Sequence, residues 1–328
     1  MTIKRKEPSH RSDRYELEAS PLYQKPTQKQ FAELVGLSKS KLRGLIDHKK
    51  QYIIRRDAEI NGKKRRLVYP FGKFRSVHEK LKFHLNKIIQ PAYLYSPRKG
   101  RNQRSNAVFH LGQTQYLKLD IKQFYPSTSS EHVFRWAKYD MRMSDDVAGL
   151  LVHIATIDDV VSFGSPLTPV LATLVHRRMF NAIAEECSAR GLRISLWVDD
   201  IVISGKFIPG PLVSRIRDLT RSNGLKSHKL EYFTGYRRVT ITGVVVKGDE
   251  IHSPRKLHTE ISNAYGLAIQ SNSRIEAEAA VDRLLSTLGR YRVMVGKGSP
   301  MGRRASSRMN AIRQKRVRFV SERCSTTD

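Results

Sequence analysis

Two adjacent aspartates inside an apolar stretch are the residues of this chain best suited to chemistry. Asp199 and Asp200 interrupt residues 195–203, whose other members are mostly aliphatic or aromatic. Two like charges crowded at the tip of two apolar strands repel each other unless a cation neutralises them. The pair therefore indicates a metal site, although a plain turn between two strands also suits aspartate.

Two other aspartate pairs in the chain have simpler explanations. Asp145-Asp146 precedes an apolar helical run, a pattern typical of a helix start, and Asp158-Asp159 fits a surface turn. Neither pair has apolar strand residues on both sides, so the pair within residues 195–203 is distinguished by its context.

A third carboxylate stands at the end of another strand-like run, residues 116–121. If this strand neighbours the aspartate hairpin, Asp120, Asp199 and Asp200 converge and can hold two hard divalent ions. Such ions bridge an incoming triphosphate and an attacking hydroxyl, which is polymerase chemistry. We predict these aspartates as catalytic and, together with Ile121, as metal-binding, with two Mg²⁺ ions as cofactor and Mn²⁺ as an alternative.

The elements that must position these carboxylates follow from apolar periodicity. The patterns predict strands at 116–121 and 238–246, a hairpin at 195–203, a helix at 76–90, a loop at 96–105, and further helices at 145–157 and 168–189. Strands interrupted by helices predict an α+β fold. No internal repeat is found.

The N-terminal part combines a polar arm, two short helices and a basic hairpin. Residues 1–26 predict a loose basic arm, and a capping box at 27–30 starts the first helix, with a second beginning at Ser38. These helices fit either a small packing subdomain, which we favour, or a helix-turn-helix that binds nucleic acid. Asn61-Gly62 then predicts the turn of a basic β-ribbon.

Net charge points to a polyanionic partner. The 328 residues contain 60 Lys and Arg against 30 Asp and Glu, which gives a net charge of +30. A folded protein this basic indicates nucleic acid, with an anionic membrane surface as the competing explanation. Neither a membrane-spanning run nor a signal peptide is recognised, so we expect a cytoplasmic protein. Cys187 and Cys324 predict neither a disulfide framework nor a zinc site.

The C-terminal part is helical and strongly basic. Seven Lys and Arg residues lie within residues 303–318, where no acidic residue balances them. One-signed charge of this density favours contact with backbone phosphates over a merely solvated helix face. The candidate nucleic-acid-binding residues here are Arg303, Arg304, Arg313 and Arg316.

The order of these motifs resembles the reverse transcriptases. In that family an aromatic residue follows the first catalytic aspartate by five positions, and Tyr125 occupies this place. The resemblance implies that its ring lies under the sugar of the incoming nucleotide and excludes a 2′-hydroxyl, although an ordinary core aromatic is the simpler alternative.

The next motif matches in part. Gly164 and Pro169 agree with the family pattern, whereas Phe163 replaces Gln and Thr168 replaces Ser. Trp197 replaces the Tyr that normally precedes the aspartate pair. The resemblance implies that Phe163 removes a polar contact near the nucleotide or template, and that Trp197 keeps the aromatic surface but loses the hydroxyl of Tyr.

Two basic residues resemble those that grip the triphosphate. Arg65 resembles the fingers arginine, with Arg66 as a rival. Lys229 resembles the lysine that ends the connection from the palm helix to the next strand, with Lys226 as the alternative. The candidate nucleotide-binding residues are therefore Arg65, Tyr125, Gly164 and Lys229.

Two further matches are similar to motifs of the retron reverse transcriptases. Asn106 and His110 fit an Asn-Ala-x-x-His motif, and Thr242 and Gly243 fit a Val-Thr-Gly motif in which Ile241 replaces Val. The resemblance implies that these four residues contact RNA.

The resemblance implies a right-hand polymerase fold, with an antiparallel palm sheet packed on helices. The expected domains are a basic N-terminal arm (1–26), N-terminal helices and fingers (27–110), a palm with a fingers insertion at about 126–170 (111–250), and a thumb with a basic C-terminal segment (251–328).

The implied function is RNA-directed DNA synthesis in a bacterial cytoplasm. The partners would be dNTPs, a cognate structured non-coding RNA, its branched DNA product primed from a guanosine 2′-hydroxyl, and a retron effector protein in defence against phage. The alternatives are an intron-encoded, diversity-generating or abortive-infection reverse transcriptase, and an inactive RNA-binding relative.

Overall fold

The computed structural model describes residues 14–60, 62–235, 237–270 and 273–321. Its strands are β1 (Ile53–Ile60), β2 (Lys63–Pro70), β3 (Leu94–Ser96), β4 (Gln115–Ile121), β5 (Arg193–Trp197), β6 (Asp200–Gly205), β7 (Ser227–Thr234), β8 (Val239–Ile241), β9 (Val244–Lys247) and β10 (Glu250–His252).

The helices are α1 (Gln28–Leu34), α2 (Lys39–Asp47), α3 (Gly72–Lys87), α4 (Gln103–Phe109), α5 (Phe124–Ser127), α6 (Ser130–Arg135), α7 (Asp145–Ala155), α8 (Thr168–Val175), α9 (Arg177–Ser188), α10 (Gly210–Ser222), α11 (Arg255–Gln270), α12 (Arg274–Val295) and α13 (Pro300–Ser321). The protein is therefore mixed α+β, as its sequence predicts. None of the helices in the described part of the chain is both long and apolar enough to cross a membrane.

The described strands form three sheets. Strands β1 and β2 make a two-stranded ribbon, and β10-β9-β8 make a three-stranded sheet. The largest sheet has the order β3-β5-β6-β4-β7, so β4, the strand of Asp120, lies beside β6, which begins at Asp200. The pair β5–β6 is the antiparallel hairpin that the apolar run around the aspartates predicts.

The chain forms two compact units, each built from three segments. Unit 1 comprises Met1–Pro97, Asp120–Glu186 and Gly210–Lys229. Unit 2 comprises Arg98–Leu119, Cys187–Pro209 and Leu230–Asp328. The division falls within strands β4 and β7, each of which contributes residues to both units.

Unit 1 has a core of aliphatic and aromatic side chains from its helices. Thr27 and Gln30 form the predicted capping box of α1, and the Ser38 side chain caps α2. Phe31 of α1 and Leu42 of α2 are almost completely buried in the same cluster as Leu81 of α3. This burial supports the packing interpretation of the two short helices.

Unit 2 contains two smaller cores. One joins Ala107 of α4 and Tyr116 of β4 to the apolar faces of β8 and β9. The other lies among the three C-terminal helices, where Ala264 of α11, Leu284 of α12 and Met309 of α13 are buried together. The periodic apolar positions predicted after residue 254 therefore form a helical core.

The structure divides two of the predicted elements into two shorter ones. Residues 168–189 form two helices rather than one, and the break falls at buried His176, whose Nε2 lies 3.1 Å from the Thr128 hydroxyl. Residues 238–246 form two strands, because Thr242 and Gly243 have positive φ angles of 47° and 85°. Consecutive positive φ angles reverse the chain in a tight hairpin.

Two predicted boundaries also move. The helix predicted at 76–90 spans Gly72–Lys87. The loop predicted at 96–105 ends early, because α4 begins at Gln103 with a reciprocal capping box between Asn102 and Ser105. Polar residues start this helix, so apolar periodicity could not detect its first turn.

Candidate active site

Three carboxylates converge at one end of the five-stranded sheet. Asp120 is the penultimate residue of β4, Asp200 opens β6, and Asp199 lies in the turn before it. One oxygen of each carboxylate lies within 4.8 Å of the others. Asp120 and Asp199 are half-buried and Asp200 is exposed. Within the described ranges, no other three acidic, histidine or cysteine side chains converge in this way.

The β5–β6 turn determines where two of these carboxylates lie. Trp197 pairs with Asp200, so Val198 and Asp199 alone form the turn, and Val198 has a φ of 61°. A positive φ at the first turn residue normally calls for glycine, and a β-branched residue there is strained by about 1–3 kcal/mol. The strained turn holds both aspartates at the same end of the hairpin.

The donor set fits hard divalent cations. Carboxylate oxygens are the ligands that Mg²⁺ and Mn²⁺ prefer, and one from each of the three aspartates lies within 4.8 Å of the others. Ile121 follows Asp120 in β4, and since its side chain is fully buried hydrocarbon, only its main-chain carbonyl offers a ligand atom.

One residue beside the carboxylates was not among the predicted site residues. The Nδ1 atom of His228, in β7, lies 3.7 Å from a carboxylate oxygen of Asp120. Lys229 follows it, is exposed and has a φ of 49°, while Lys226 accepts a main-chain hydrogen bond from Lys122 at 2.8 Å. The position of His228 next to a predicted triphosphate lysine was the available sequence signal.

The other predicted nucleotide-binding residues meet in unit 1 through Phe163. The Arg65 guanidinium carbon lies 5.2 Å from the centroid of the Phe163 ring, and the Tyr125 ring lies 6.0 Å from the same ring. Gly164 follows directly and approaches Tyr69 so closely that an added Cβ would lie 3.3 Å from that side chain. We call Arg65, Tyr125, Phe163 and Gly164 the Phe163 cluster.

Strand alternation separates Arg65 from its rival Arg66. Residues two apart in a strand share a face, so Arg65 lies on the face of β2 that carries Tyr69. That face adjoins Gly164 and Phe163, whereas Arg66 lies on the opposite one. Of the two arginines, Arg65 is therefore the one that lies beside the other predicted nucleotide-binding residues of unit 1.

His110, predicted to contact RNA, is completely buried in unit 2. Its Nδ1 lies 2.6 Å from the hydroxyl of Ser204 in β6, and its Nε2 lies 2.8 Å from the hydroxyl of Ser195 in β5. Burial, aided by the positive charge of Arg193, lowers the pKa of His110 to about 3, so the ring is neutral. The imidazole thus links both strands of the aspartate hairpin.

The Asn-Ala-x-x-His motif and the Ile-Thr-Gly motif meet each other in unit 2. The side-chain amide of buried Asn106 donates to the Thr242 hydroxyl at 3.5 Å, and that hydroxyl donates to the carbonyl of Gln103 at 3.4 Å. Gly243 completes the turn between β8 and β9. We call Asn106, His110, Ser195, Ser204 and Thr242 the His110 network.

The basic residues of α13 face away from its core. Arg303, Arg304 and Arg313 are exposed, while Met309 and Ile312 are buried. The side chain of Arg316 lies outside the described residues. Arg303, Arg304 and Arg313 are therefore accessible to solvent, on positions of the helix other than those of its apolar contacts.

Comparison with known proteins gives related sequences, although no family model matches. The chain is 31% identical over 145 residues to the Retron Se72 reverse transcriptase of Salmonella heidelberg, covering 44% of this chain and 38% of that protein. It is 23% identical over 181 residues to the Retron Ec86 reverse transcriptase of Escherichia coli, covering 54% and 56%.

A longer alignment is found with the Retron Ec48 reverse transcriptase of Escherichia coli, which is 22% identical over 274 residues. It covers 76% of this chain and 67% of that protein. The first two alignments thus span about half or less of the relatives' lengths, while several together extend over much of this chain. The resemblance that the motifs predict is confirmed, because the chain is similar to several retron reverse transcriptases.

Proposed function

We propose that this protein is an RNA-directed DNA polymerase of the retron type. The observation that carries the proposal is the convergence of Asp120, Asp199 and Asp200 within 4.8 Å, in a chain similar to several retron reverse transcriptases. In the proposed right-hand fold, the β1–β2 ribbon belongs to the fingers, the five-stranded mixed sheet forms the palm in place of the antiparallel sheet that the resemblance implied, and α11–α13 form the thumb.

The chemistry we propose is in-line phosphoryl transfer from a dNTP to a hydroxyl. The three aspartates, with the carbonyl of Ile121, would hold two Mg²⁺ ions, which when bound stabilise the charge of the pentacoordinate phosphorus. Arg65 and Lys229 bind the triphosphate, for which guanidinium and ammonium groups are suited. Tyr125 lies under the sugar and excludes a 2′-hydroxyl, so the product is DNA.

The proposed template is a cognate structured RNA, which the protein copies into branched, RNA-linked single-stranded DNA. Priming from the 2′-hydroxyl of an internal guanosine, an effector protein and a role in defence against phage follow by analogy with retrons. Support on this chain comes from its net charge of +30 and the exposed arginines of α13, since folded RNA is held mainly through phosphates and shape.

The test is metal-dependent DNA synthesis by the purified protein. Labelled dNTPs, Mg²⁺ and the non-coding RNA encoded beside the gene should give a labelled product. The double variant Asp199→Asn plus Asp200→Asn should lose at least about a thousandfold in rate, because each lost carboxylate removes several kcal/mol of transition-state stabilisation. Undiminished synthesis by this variant would disprove the proposed site.

A matched control lies in the same chain. Asp145→Asn plus Asp146→Asn makes the same change of charge at an aspartate pair that starts α7 and does not belong to the acidic group. This variant should retain the rate of the unmodified protein, so a loss in both double variants would indicate a general effect of charge or folding.

The co-purifying nucleic acid distinguishes the proposal from its alternatives. A branched RNA–DNA species supports a retron enzyme, whereas linear or protein-primed DNA indicates another bacterial reverse transcriptase. A protein that binds RNA tightly but incorporates no dNTP under any metal condition would be an inactive relative.

A further inference from the structure

The residue that replaces the usual glutamine of the family, Phe163, is held firmly in unit 1. Its carbonyl accepts a hydrogen bond from the main-chain N–H of Val68 at 3.1 Å, which ties it to β2. The side chain is half-buried, and the following residue, Gly164, is exposed with a φ of 114°. Any residue other than glycine at position 164 would have a strained backbone, and its Cβ would crowd Tyr69. The backbone next to Phe163 therefore has little freedom to adopt another conformation.

Hydrogen bonds, one of them to a buried histidine, hold the segment after Phe163 in place. The Ser165 hydroxyl lies 2.7 Å from Nδ1 of His78 and accepts the N–H of Leu167 at 3.2 Å. The Thr168 hydroxyl donates to the carbonyl of Ser162 at 2.6 Å. Burial lowers the pKa of His78 to about 4, so the anchor is uncharged at neutral pH.

From this fixed position the Phe163 ring contacts two predicted nucleotide-binding side chains. The guanidinium carbon of Arg65 lies over the ring at 5.2 Å, within the range of a cation–π interaction. The Tyr125 ring lies 6.0 Å away with an interplanar angle of 37°. Phe163 is therefore a common support for the cation and for the aromatic ring.

A phenylalanine and a glutamine at position 163 differ in how many N–H donors of Arg65 remain available for a phosphate. A guanidinium that stacks on a ring uses its face, and its five N–H donors remain directed outward in its plane, toward a phosphate. A glutamine carbonyl in the same place would accept one of those N–H groups and compete with the phosphate. The replacement thus positions Arg65 without occupying its donors.

We propose that Phe163 determines nucleotide selection by positioning Arg65 for the triphosphate and Tyr125 for the sugar. The inference rests on the proposed polymerase function and identifies which side chain sets its substrate preference. Loss of the ring should weaken dNTP binding, because Arg65 loses its support. It should also admit ribonucleotides, because the Tyr125 ring gains freedom to move away from the sugar.

The experiment compares steady-state incorporation of dTTP and UTP opposite adenine by four variants. Phe163→Leu keeps apolar volume and removes the ring, Phe163→Gln introduces the family residue, and Phe163→Tyr keeps the ring. Phe83→Ala is the matched control, since Phe83 is an exposed aromatic of α3 in the same unit with its own cation–π contact, to Lys87 at 4.6 Å.

We expect Phe163→Leu and Phe163→Gln to raise the KM for dTTP about two- to fivefold, with kcat little changed. Discrimination against UTP should fall about two- to tenfold, the range of an aromatic pair. Phe163→Tyr should retain both properties, and Phe83→Ala should match the unmodified protein. A general loss of stability would lower the active fraction and hence kcat, leaving KM and discrimination unchanged.

The outcomes separate this inference from the function on which it rests. An unmodified protein that incorporates no dNTP contradicts the proposed polymerase. An active protein in which Phe163→Leu and Phe83→Ala share the same KM and the same discrimination overturns the role of Phe163. A fall in kcat alone at Phe163→Leu, or a defect at Phe163→Tyr equal to that at Phe163→Leu, overturns it as well.

Discussion

The Phe163 cluster of unit 1 and the His110 network of unit 2 differ in what their side chains can reach. In the first, Arg65 and Gly164 are exposed and Tyr125 and Phe163 are half-buried. In the second, Asn106 and His110 are fully buried, and the hydrogen bonds of the imidazole go to two serine hydroxyls. The first group has two exposed members, whereas the second is buried apart from Thr242, which is half-buried.

This difference assigns the two groups to different tasks. A cation stacked on a ring at the surface can exchange water for a ligand at a small cost in free energy. Removal of such a cation should therefore change the KM for the ligand. A neutral imidazole that is hydrogen-bonded to two strands stabilises their pairing, so its removal should lower the free energy of unfolding. For Asn106 and His110 we therefore favour positioning of the aspartate hairpin and its neighbours over direct contact with RNA.

The largest expected effect comes from removing the buried imidazole. His110→Ala should lower the free energy of unfolding by about 2–4 kcal/mol, because it leaves a cavity and two buried serine hydroxyls without their partner. Chemical denaturation with a probe in unit 2 measures this change. Unaltered stability together with weakened RNA binding would reverse the assignment made here.

The acid response of stability tests the same imidazole. The pKa of His110 in the folded chain is about 3, below its usual value of 6.5. Between these two pH values the unfolded chain therefore binds a proton at this imidazole that the folded chain does not bind. Its contribution to stability is complete above pH 6.5 and is lost as pH falls from 6.5 toward 3, by up to about 1.4 kcal/mol per pH unit.

Buried His78 and His176 act in the same direction, with pKa values lowered by burial to about 4 and about 3. The unfolding midpoint of the protein should therefore fall steeply between pH 6.5 and 4. His110→Gln should reduce the number of protons taken up on unfolding by about one, so stability should depend less steeply on pH in this variant. An equal slope in the variant and the unmodified protein would show that His110 is already charged in the folded chain over this pH range.

A smaller effect separates the two arginines of the ribbon. Arg65→Ala should raise the KM for dNTPs about tenfold, the worth of one charge-assisted hydrogen bond, while Arg66→Ala should change it less than about twofold. Both variants remove the same charge from neighbouring residues of β2. Equal effects would mean that the ribbon acts through net charge and not through the Phe163 cluster.

The smallest effect concerns the exposed arginines outside both groups. Arg304→Ala should weaken RNA binding a few-fold and reduce the slope of log affinity against log salt by about 0.7–0.9. Arg221→Ala serves as the control, since Arg221 is exposed but pairs with Asp218 of its own helix. A larger loss at Arg304, or an unchanged salt slope, would show that α13 recognises more than phosphate charge.

Local patterns predicted the elements around the carboxylates well. Alternating apolar residues and two crowded charges indicated the β5–β6 hairpin, and the strand of Asp120 was recognised almost to its boundaries. The local patterns failed where one or two residues interrupt a helix or a strand. Thr242 and Gly243 lie in a run of β-branched residues that resembles one long strand, and His176 interrupts an otherwise continuous helical pattern.

Burial and long-range contact were beyond the sequence. Nothing near His110 shows that its partners are Ser195 and Ser204, which approach only when β5 and β6 pair. Phe163 could be recognised only as a departure from a family pattern, because its contacts with Arg65 and Tyr125 join segments far apart in the chain.

The carboxylates also have a consequence for how the protein folds. Asp120 and the hairpin aspartates lie on neighbouring strands of one sheet, yet five α-helices, α5 to α9, separate them along the chain. Contacts of such high sequence separation form late, after the entropy of closing a long loop has been overcome. A divalent cation that needs all three carboxylates binds only chains in which this pairing is complete, so its concentration enters the folding equilibrium by mass action. Refolding in the presence of Mg²⁺ would then draw the population toward the assembled sheet.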